Sequence, residues 1–280
     1  MNGHIPTTPG AIGIFDSGYG GLTVLAEIKS LLPQYDYIYL GDNARAPYGN
    51  RSFELVYEFT LEAVKWFFDQ NCHLVILACN TASAKALRSI QQKNLPELAP
   101  GKRVLGVIRP TVELVGELTK TGHVGVLGTE GTIKSGSYEI EIEKYHPQIH
   151  VTGEACPMWV PLVENKEYDK LGADYFVKQH IENILGKDGQ IDTIILGCTH
   201  YPLLVGKIKK YLPDGVRVIS QGKYVAESLK DYLNRHPEME EKCSKNSSVH
   251  YFTTDSPERF VEQASLFLNE KIEAKKVIID

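Results

Sequence analysis

Residues 74–81 read Leu-Val-Ile-Leu-Ala-Cys-Asn-Thr, and residues 193–200 read Thr-Ile-Ile-Leu-Gly-Cys-Thr-His. Each is a short apolar run closed by a cysteine and two polar residues. Near-continuous hydrophobicity of this length predicts a strand buried on both faces, as in parallel sheets, where an antiparallel strand would alternate. Aligned without gaps, Cys79 falls on Cys198. Upstream, in nearly the same register, Gly13-Ile-Phe-Asp-Ser matches Gly125-Val-Leu-Gly-Thr and sets Asp16 opposite Gly128. Two such halves, each ending one strand in cysteine, predict a pseudo-symmetric two-domain protein.

Further strands of the same kind are predicted at Ala11–Phe15, Tyr37–Leu40, Arg103–Ile108, His123–Leu127, Val216–Ser220 and Val249–Phe252. Helical patterns lie between them. Phe53, Val56, Tyr57, Thr60, Val64, Phe67 and Phe68 recur with the spacing of one helix face, and Tyr168–Leu185 and Pro257–Leu268 read similarly. Alternating strands and helices imply an α/β protein with two similar doubly wound parallel-sheet domains related by pseudo-two-fold symmetry. Proline- and glycine-containing connectors near Leu95–Lys102 and Pro213–Gly222 are the expected crossings. They divide the chain into residues 1–101 with 223–280, carrying Asp16 and Cys79, and residues 102–222, carrying Cys198 and His200.

The 280 residues suffice for two cores, and 42% hydrophobic with 23% charged residues is an ordinary globular balance. A net charge of −5 supplies no basic field for nucleic acid or anionic lipid. No apolar run approaches the roughly 18 residues of a membrane span. The N-terminus lacks the pattern of a signal peptide, so a cytoplasmic location is expected. Five scattered cysteines form no C-x-x-C pair and fit no zinc template, so no metal site is expected. Reduced thiols remain, for catalysis or for core packing.

In open α/β sheets ligands bind at the carboxyl ends of the strands, and a thiol there sits near a helix N-terminus that favours thiolate. Buried packing explains a single cysteine equally well; two at equivalent positions argue for chemistry. Other polar residues gather at predicted strand ends. Asp16-Ser17-Gly18-Tyr19-Gly20-Gly21 forms a glycine-rich turn suited to an anion, or merely to reversing the chain. It is neither a dinucleotide fingerprint nor a P-loop. Asp42-Asn43-Ala-Arg-Ala-Pro47-Tyr48-Gly49 follows the second strand and can be read as a turn set by proline and glycine. Gly128-Thr-Glu-Gly-Thr132 is the second-half counterpart of the first turn, and Thr129 and Thr132 could equally be helix caps.

Taken together, D-S-G-Y-G-G-L, A-P-Y-G, A-C-N-T-A-S, G-T-E-G-T, A-C-P-M-W-V-P-L-V-E and G-C-T-H-Y-P-L resemble the glutamate racemases of the cofactor-independent aspartate/glutamate racemase superfamily. The resemblance runs in order from about Gly13 to Leu204 and continues weakly to Leu268. It implies an active site in the cleft between the domains, where Cys79 and Cys198 face opposite sides of the substrate Cα. It also implies that Asp16 assists Cys79, and that His200, steadied by Glu164, assists Cys198. Substrate contacts are implied for Asp16, Ser17, Tyr48, Gly49, Asn80, Thr81, Thr199 and His200, with Thr129 and Thr132 as further candidates.

No cofactor is implied. The implied partner is glutamate, the implied assembly a homodimer, and the implied role the supply of D-glutamate for peptidoglycan. Cys72, Cys156 and Cys243 match no catalytic position. Arg109, in V-I-R-P, departs from the family pattern. The first ten residues and the charged stretch Glu238–Lys245 are expected to be solvated and mobile. Two other readings stay open: a racemase of aspartate or another amino acid, or a related decarboxylase; and a non-catalytic small-anion-binding module on the same fold.

Overall fold

The computed structural model describes residues 8–268 and 270–279, and in these ten strands form two sheets. The strands are β1 Ile12–Asp16, β2 Tyr37–Gly41, β3 Leu74–Leu77, β4 Arg103–Gly106, β5 His123–Gly128, β6 His150–Ala155, β7 Thr193–Gly197, β8 Arg217–Ile219, β9 Val249–Thr253 and β10 Ala274–Lys276. One sheet has the order β10-β9-β2-β1-β3-β4 and the other β6-β5-β7-β8, with every pairing between these strands parallel. The arrangement β2-β1-β3-β4 of the first sheet recurs as β6-β5-β7-β8 in the second. The internal sequence repeat therefore corresponds to a repeated strand order, and Cys79 and Cys198 follow equivalent central strands.

Continuous hydrophobicity in the central strands has the cause inferred for it. Side chains alternate across a strand, and each sheet has a core on either face. In β1 and β3, Ile12, Ile14, Leu74 and Ile76 enter one cluster, while Phe15, Val75 and Leu77 enter the opposite one. In the second sheet, Val124, Val126 and Ile195 face one cluster and Leu127, Ile194 and Leu196 the other. The helix Phe53–Asp69 starts with Ser52 accepting from the Leu55 N–H, and it buries Val56, Thr60, Val64 and Phe67 while Phe53 stays exposed.

Two strands carry no apolar run and were not expected. β6 is an edge strand of mostly half-buried side chains, and β10 reads Ala-Lys-Lys at the opposite sheet's edge. Edge strands have one covered side at most, which removes the signal.

The first crossing also lies later than expected. Arg103–Gly106, assigned above to the 102–222 unit, pairs with Leu74–Leu77 as the edge of the six-stranded sheet. The Leu95–Lys102 connector leads back into the same sheet, and the chain crosses only after Gly106. After β8 the helix Gly222–Arg235 places Val225 and Leu229 in one core with Leu25 and Ile28.

Most of the first ten residues lie outside the described part of the chain, although Gly10 pairs with Cys243. The stretch 238–245 is not a solvated strand of charge. It begins within the helix Pro237–Glu240, and Met239 and Cys243, one helical turn apart, are buried in the first core. Two apolar anchors outweigh a charged average.

Gly13 faces the helix Phe53–Asp69 so closely that a Cβ there would lie 2.6 Å from Phe67 Cδ1. Gly13→Ala is expected to lower the unfolding free energy by about 1–3 kcal/mol through overpacking, measured by urea denaturation; an unchanged midpoint would mean that Phe67 repacks freely.

Candidate active site

Both thiols stand at the carboxyl ends of central strands, beyond which the sheets open. Cys79 ends the β3 run and caps the helix Asn80–Lys85, its Sγ accepting from the Ala82 N–H at 3.5 Å. The thiol also donates to Ser17 Oγ at 3.5 Å. Ser17 comes from the turn after β1, so neighbouring strand ends build the first half-site. Burial pushes the Cys79 thiol up to about 12; the Asp16 carboxylate adds to this, while Ser17 and the Ala82 N–H oppose it.

Cys198 ends β7. Its Sγ lies 3.9 Å from His200 Nδ1, and His200 Nε2 lies 3.0 Å from Glu164 Oε1. Glu164 ends the helix Trp159–Glu164, which is tied to the same turn: Tyr201 hydroxyl donates to the Cys156 carbonyl at 3.0 Å, and the Trp159 and Tyr201 rings meet edge-on at 4.8 Å. Burial disfavours charge on His200, yet the Cys198 sulfur and the Glu164 carboxylate outweigh it and raise the imidazole to about 10. A positive ring therefore faces Cys198 at neutral pH.

The two half-sites touch. Thr199 Oγ1 donates to Asp16 Oδ1 at 3.5 Å, and Thr23 Oγ1 donates to the Thr199 carbonyl at 3.1 Å. Gly20 makes this seam possible: a Cβ there would lie 2.2 Å from Thr199 Oγ1 and 2.4 Å from His200 Nδ1. Asp16 is 1 % exposed. Burial raises its pKa, countered by the His200 charge and by the Gly18 N–H, which donates to Oδ2 at 2.9 Å.

A second bridge joins Thr81 of the first sheet's unit to Thr129 and Thr132 of the second, at 2.9 and 3.4 Å between hydroxyl oxygens. Thr129 also caps the helix Glu130–Lys134, as the capping reading expected. Gly49 lies against Thr129, while the Tyr48 hydroxyl donates to buried Asp42.

Some residues stand apart. Arg109 is exposed, paired with Glu113 at 2.7 Å on its own helix and set over the Tyr145 ring. It lines a cavity of about 770 Å³ with Ser83, Arg88, Glu113 and Tyr232, which neither Cys79 nor Cys198 reaches. Cys72, Cys156 and Cys243 are buried free thiols, with burial pushing Cys72 and Cys243 up to about 12. Such thiols are core residues. Tyr138, which reaches Asn80, and Gln221, which reaches Tyr138, gave no sign in the sequence: one lies in the helix Ser137–Tyr145 and the other in the connector just before the helix Gly222–Arg235. Among the described residues no group of three or more His, Cys, Asp or Glu side chains could hold a metal ion, and no helix is long and apolar enough to cross a membrane.

A parallel sheet built twice places one strand-end thiol in each half, Cys79 near Asp16 and Cys198 beside His200. Comparison with known proteins gives the class: the family model for Asp/Glu/hydantoin racemases matches residues 20–229, and the chain belongs to that family. Within it, glutamate racemases recur. That of Geobacter metallireducens is 40% identical over 94% of both chains, and that of Ruegeria sp. 42% identical over 94% of this chain and 98% of its own. The crystal structure of isoform RacE1 from Bacillus anthracis superposes with a TM-score of 0.87 at 37% identity, covering 96% of this chain and 97% of that one. The Francisella tularensis glutamate racemase, crystallised with D-glutamate, gives 0.86 at 33% identity, covering 97% and 98%.

The raised pKa of His200 makes its contribution to stability fall with pH. The folded ring holds its proton to about 10 while the unfolded ring releases it near 6.5. The contribution is therefore full below pH 6.5, declines across the interval between the two values and is absent above it. The difference in urea unfolding free energy between the wild type and His200→Asn should shrink as pH rises through this window; a difference independent of pH would contradict the charged pairing.

Proposed function

We propose that the protein is a glutamate racemase that interconverts L- and D-glutamate by two-base proton transfer, with Cys79 and Cys198 as the acid/base pair. The observation that carries this reading is the pair of equivalent strand-end thiols, each backed by its own ionisable partner and joined through Thr199 and Asp16. Relatives named glutamate racemase along nearly the whole chain support glutamate as the substrate, and the Francisella complex with D-glutamate supports a free amino acid as the ligand.

Inversion needs two groups, because one base returning its own proton to the same face would restore the starting enantiomer. One thiolate removes the α-proton and leaves carbanionic charge at Cα; the opposite thiol then gives its proton to the other face. The configuration inverts and the sulfurs exchange protonation states. The reaction therefore begins with one thiolate and one thiol. Burial and the Asp16 carboxylate raise the Cys79 thiol, which favours its protonated form, and the His200 ring lies against Cys198. Asp16 assists Cys79 and His200, steadied by Glu164, assists Cys198.

The Ser17, Thr81 and Thr199 hydroxyls, the Asn80 amide and the backbone N–H groups of Tyr48 and Gly49 bind the carboxylates without adding a competing base. No external cofactor enters this scheme. In the cytoplasm such an enzyme would supply D-glutamate to peptidoglycan synthesis.

L-Glutamate racemised in deuterated water without added cofactor should yield D-glutamate labelled at Cα while the remaining L-glutamate keeps its hydrogen at early times. Equal labelling of both enantiomers would reject the two-base scheme. Cys79→Ala and Cys198→Ala should each reduce kcat by at least about 10³-fold, and substantial turnover by either variant would reject the pairing.

A further inference from the structure

Asn80 is the residue after the first thiol and is 3 % exposed. Its Oδ1 accepts a hydrogen bond from the Tyr138 hydroxyl at 2.7 Å, whereas its Nδ2 is buried and has no partner among the described residues. An unmet buried donor is destabilising. Tyr138 belongs to the second sheet's unit, and its ring lies against Gly197, the residue before Cys198: a Cβ on that glycine would lie 3.3 Å from Tyr138 Cε2. The Asn80–Tyr138 bond thus spans the two strand ends that carry the thiols.

The hydrogen-bond polarity of this link is determined from its far end. Gln221 Nε2 lies 3.0 Å from the Val107 carbonyl, which can only accept, so that atom is the amide's donor. The same NH2 group reaches Tyr138 Oη at 2.8 Å and, more distantly, Thr111 Oγ1 at 3.3 Å. Tyr138 oxygen accepts from Gln221, so its single proton is directed to Asn80. Only the Asn80 carbonyl can take that proton, and its NH2 must point the other way. Val107 and Gln221 are also the residues at the two chain crossings, one just after β4 and one just before the helix Gly222–Arg235.

We propose that Tyr138 and Gln221 are positioning residues for substrate binding, holding the Asn80 amide with its unpaired NH2 group presented to a substrate carboxylate. The proposal rests on the reading of this cleft as a glutamate site. Because the polarity starts at both crossings, the donor is correctly turned only when the two halves hold their present relation. Neither residue touches the proton being transferred, so their effect falls on binding.

The test is a double-mutant cycle on Asn80→Ala and Tyr138→Phe, with racemisation kinetics and calorimetric binding of D-glutamate measured on folded protein. Tyr138→Phe should raise KM and Kd about tenfold with kcat within about threefold of wild type. In the double variant KM should match that of Asn80→Ala alone, since Tyr138 acts through Asn80. Unchanged KM in Tyr138→Phe, additive effects in the cycle, or a fall confined to kcat would overturn the proposal. If Tyr138→Phe does not fold, Gln221→Leu takes its place in the same cycle, with the same direction expected and a flat KM again rejecting the relay. Wild-type protein that neither binds nor racemises glutamate would reject the functional reading, and the relay with it; binding and turnover with a flat Tyr138→Phe response would reject the relay alone.

Discussion

The narrow seam between the turn after β1 and the turn after β7 is the contact on which the site depends. Asp16, Thr199, Thr23 and the bare backbone of Gly20 meet there, and a single added methyl carbon would collide with both Thr199 and His200. Parallel strands covered on both faces leave only their ends for chemistry. Repeating the strand order brings two such carboxyl ends together at a buried seam. Each half brings one thiol: Asp16, at the end of β1, neighbours Cys79, and His200 follows Cys198 in the same turn.

Enclosure raises the electrostatic stakes. Water is largely excluded from Asp16, Cys79, Cys198 and His200, so every charge must be balanced locally. The arrangement does this asymmetrically: a carboxylate beside Cys79 and a cation beside Cys198. Opposite environments for chemically identical groups are a direct way to separate an acid from a base. The hydroxyls and amides around them, among them Ser17, Thr81, Thr199 and Asn80, carry no charge. Asn80 belongs to this set, and its orientation is imposed from outside the lining.

Much of this could be read from the chain. The strand cores, the long helix after Phe53 and the equivalence of Cys79 and Cys198 follow from side-chain periodicity and from an internal repeat. What escaped did so for identifiable reasons. β6 and β10 are edge strands whose residues need not be apolar, so periodicity has nothing to register. The Leu95–Lys102 connector has the composition of a domain crossing, but composition does not say which neighbour the next strand chooses; β4 pairs with β3. Glu238–Lys245 is charged on average, yet Met239 and Cys243 anchor it, because burial is decided residue by residue.

The amino-acid sequence by itself determined the doubly wound parallel architecture, the pairing of the two cysteines and the family resemblance, since these depend on local order along the chain. Only the tertiary structure decided that Tyr48's hydroxyl is committed to Asp42, and it gave the 3.0 Å contact behind the Glu164–His200 pairing that the family resemblance implied. It also decided that Asn80 is oriented through Tyr138 and Gln221 by the carbonyl of Val107. Those facts join residues distant in sequence, and hydrogen bonds act over about 3 Å, a separation that exists only once the two sheets have met.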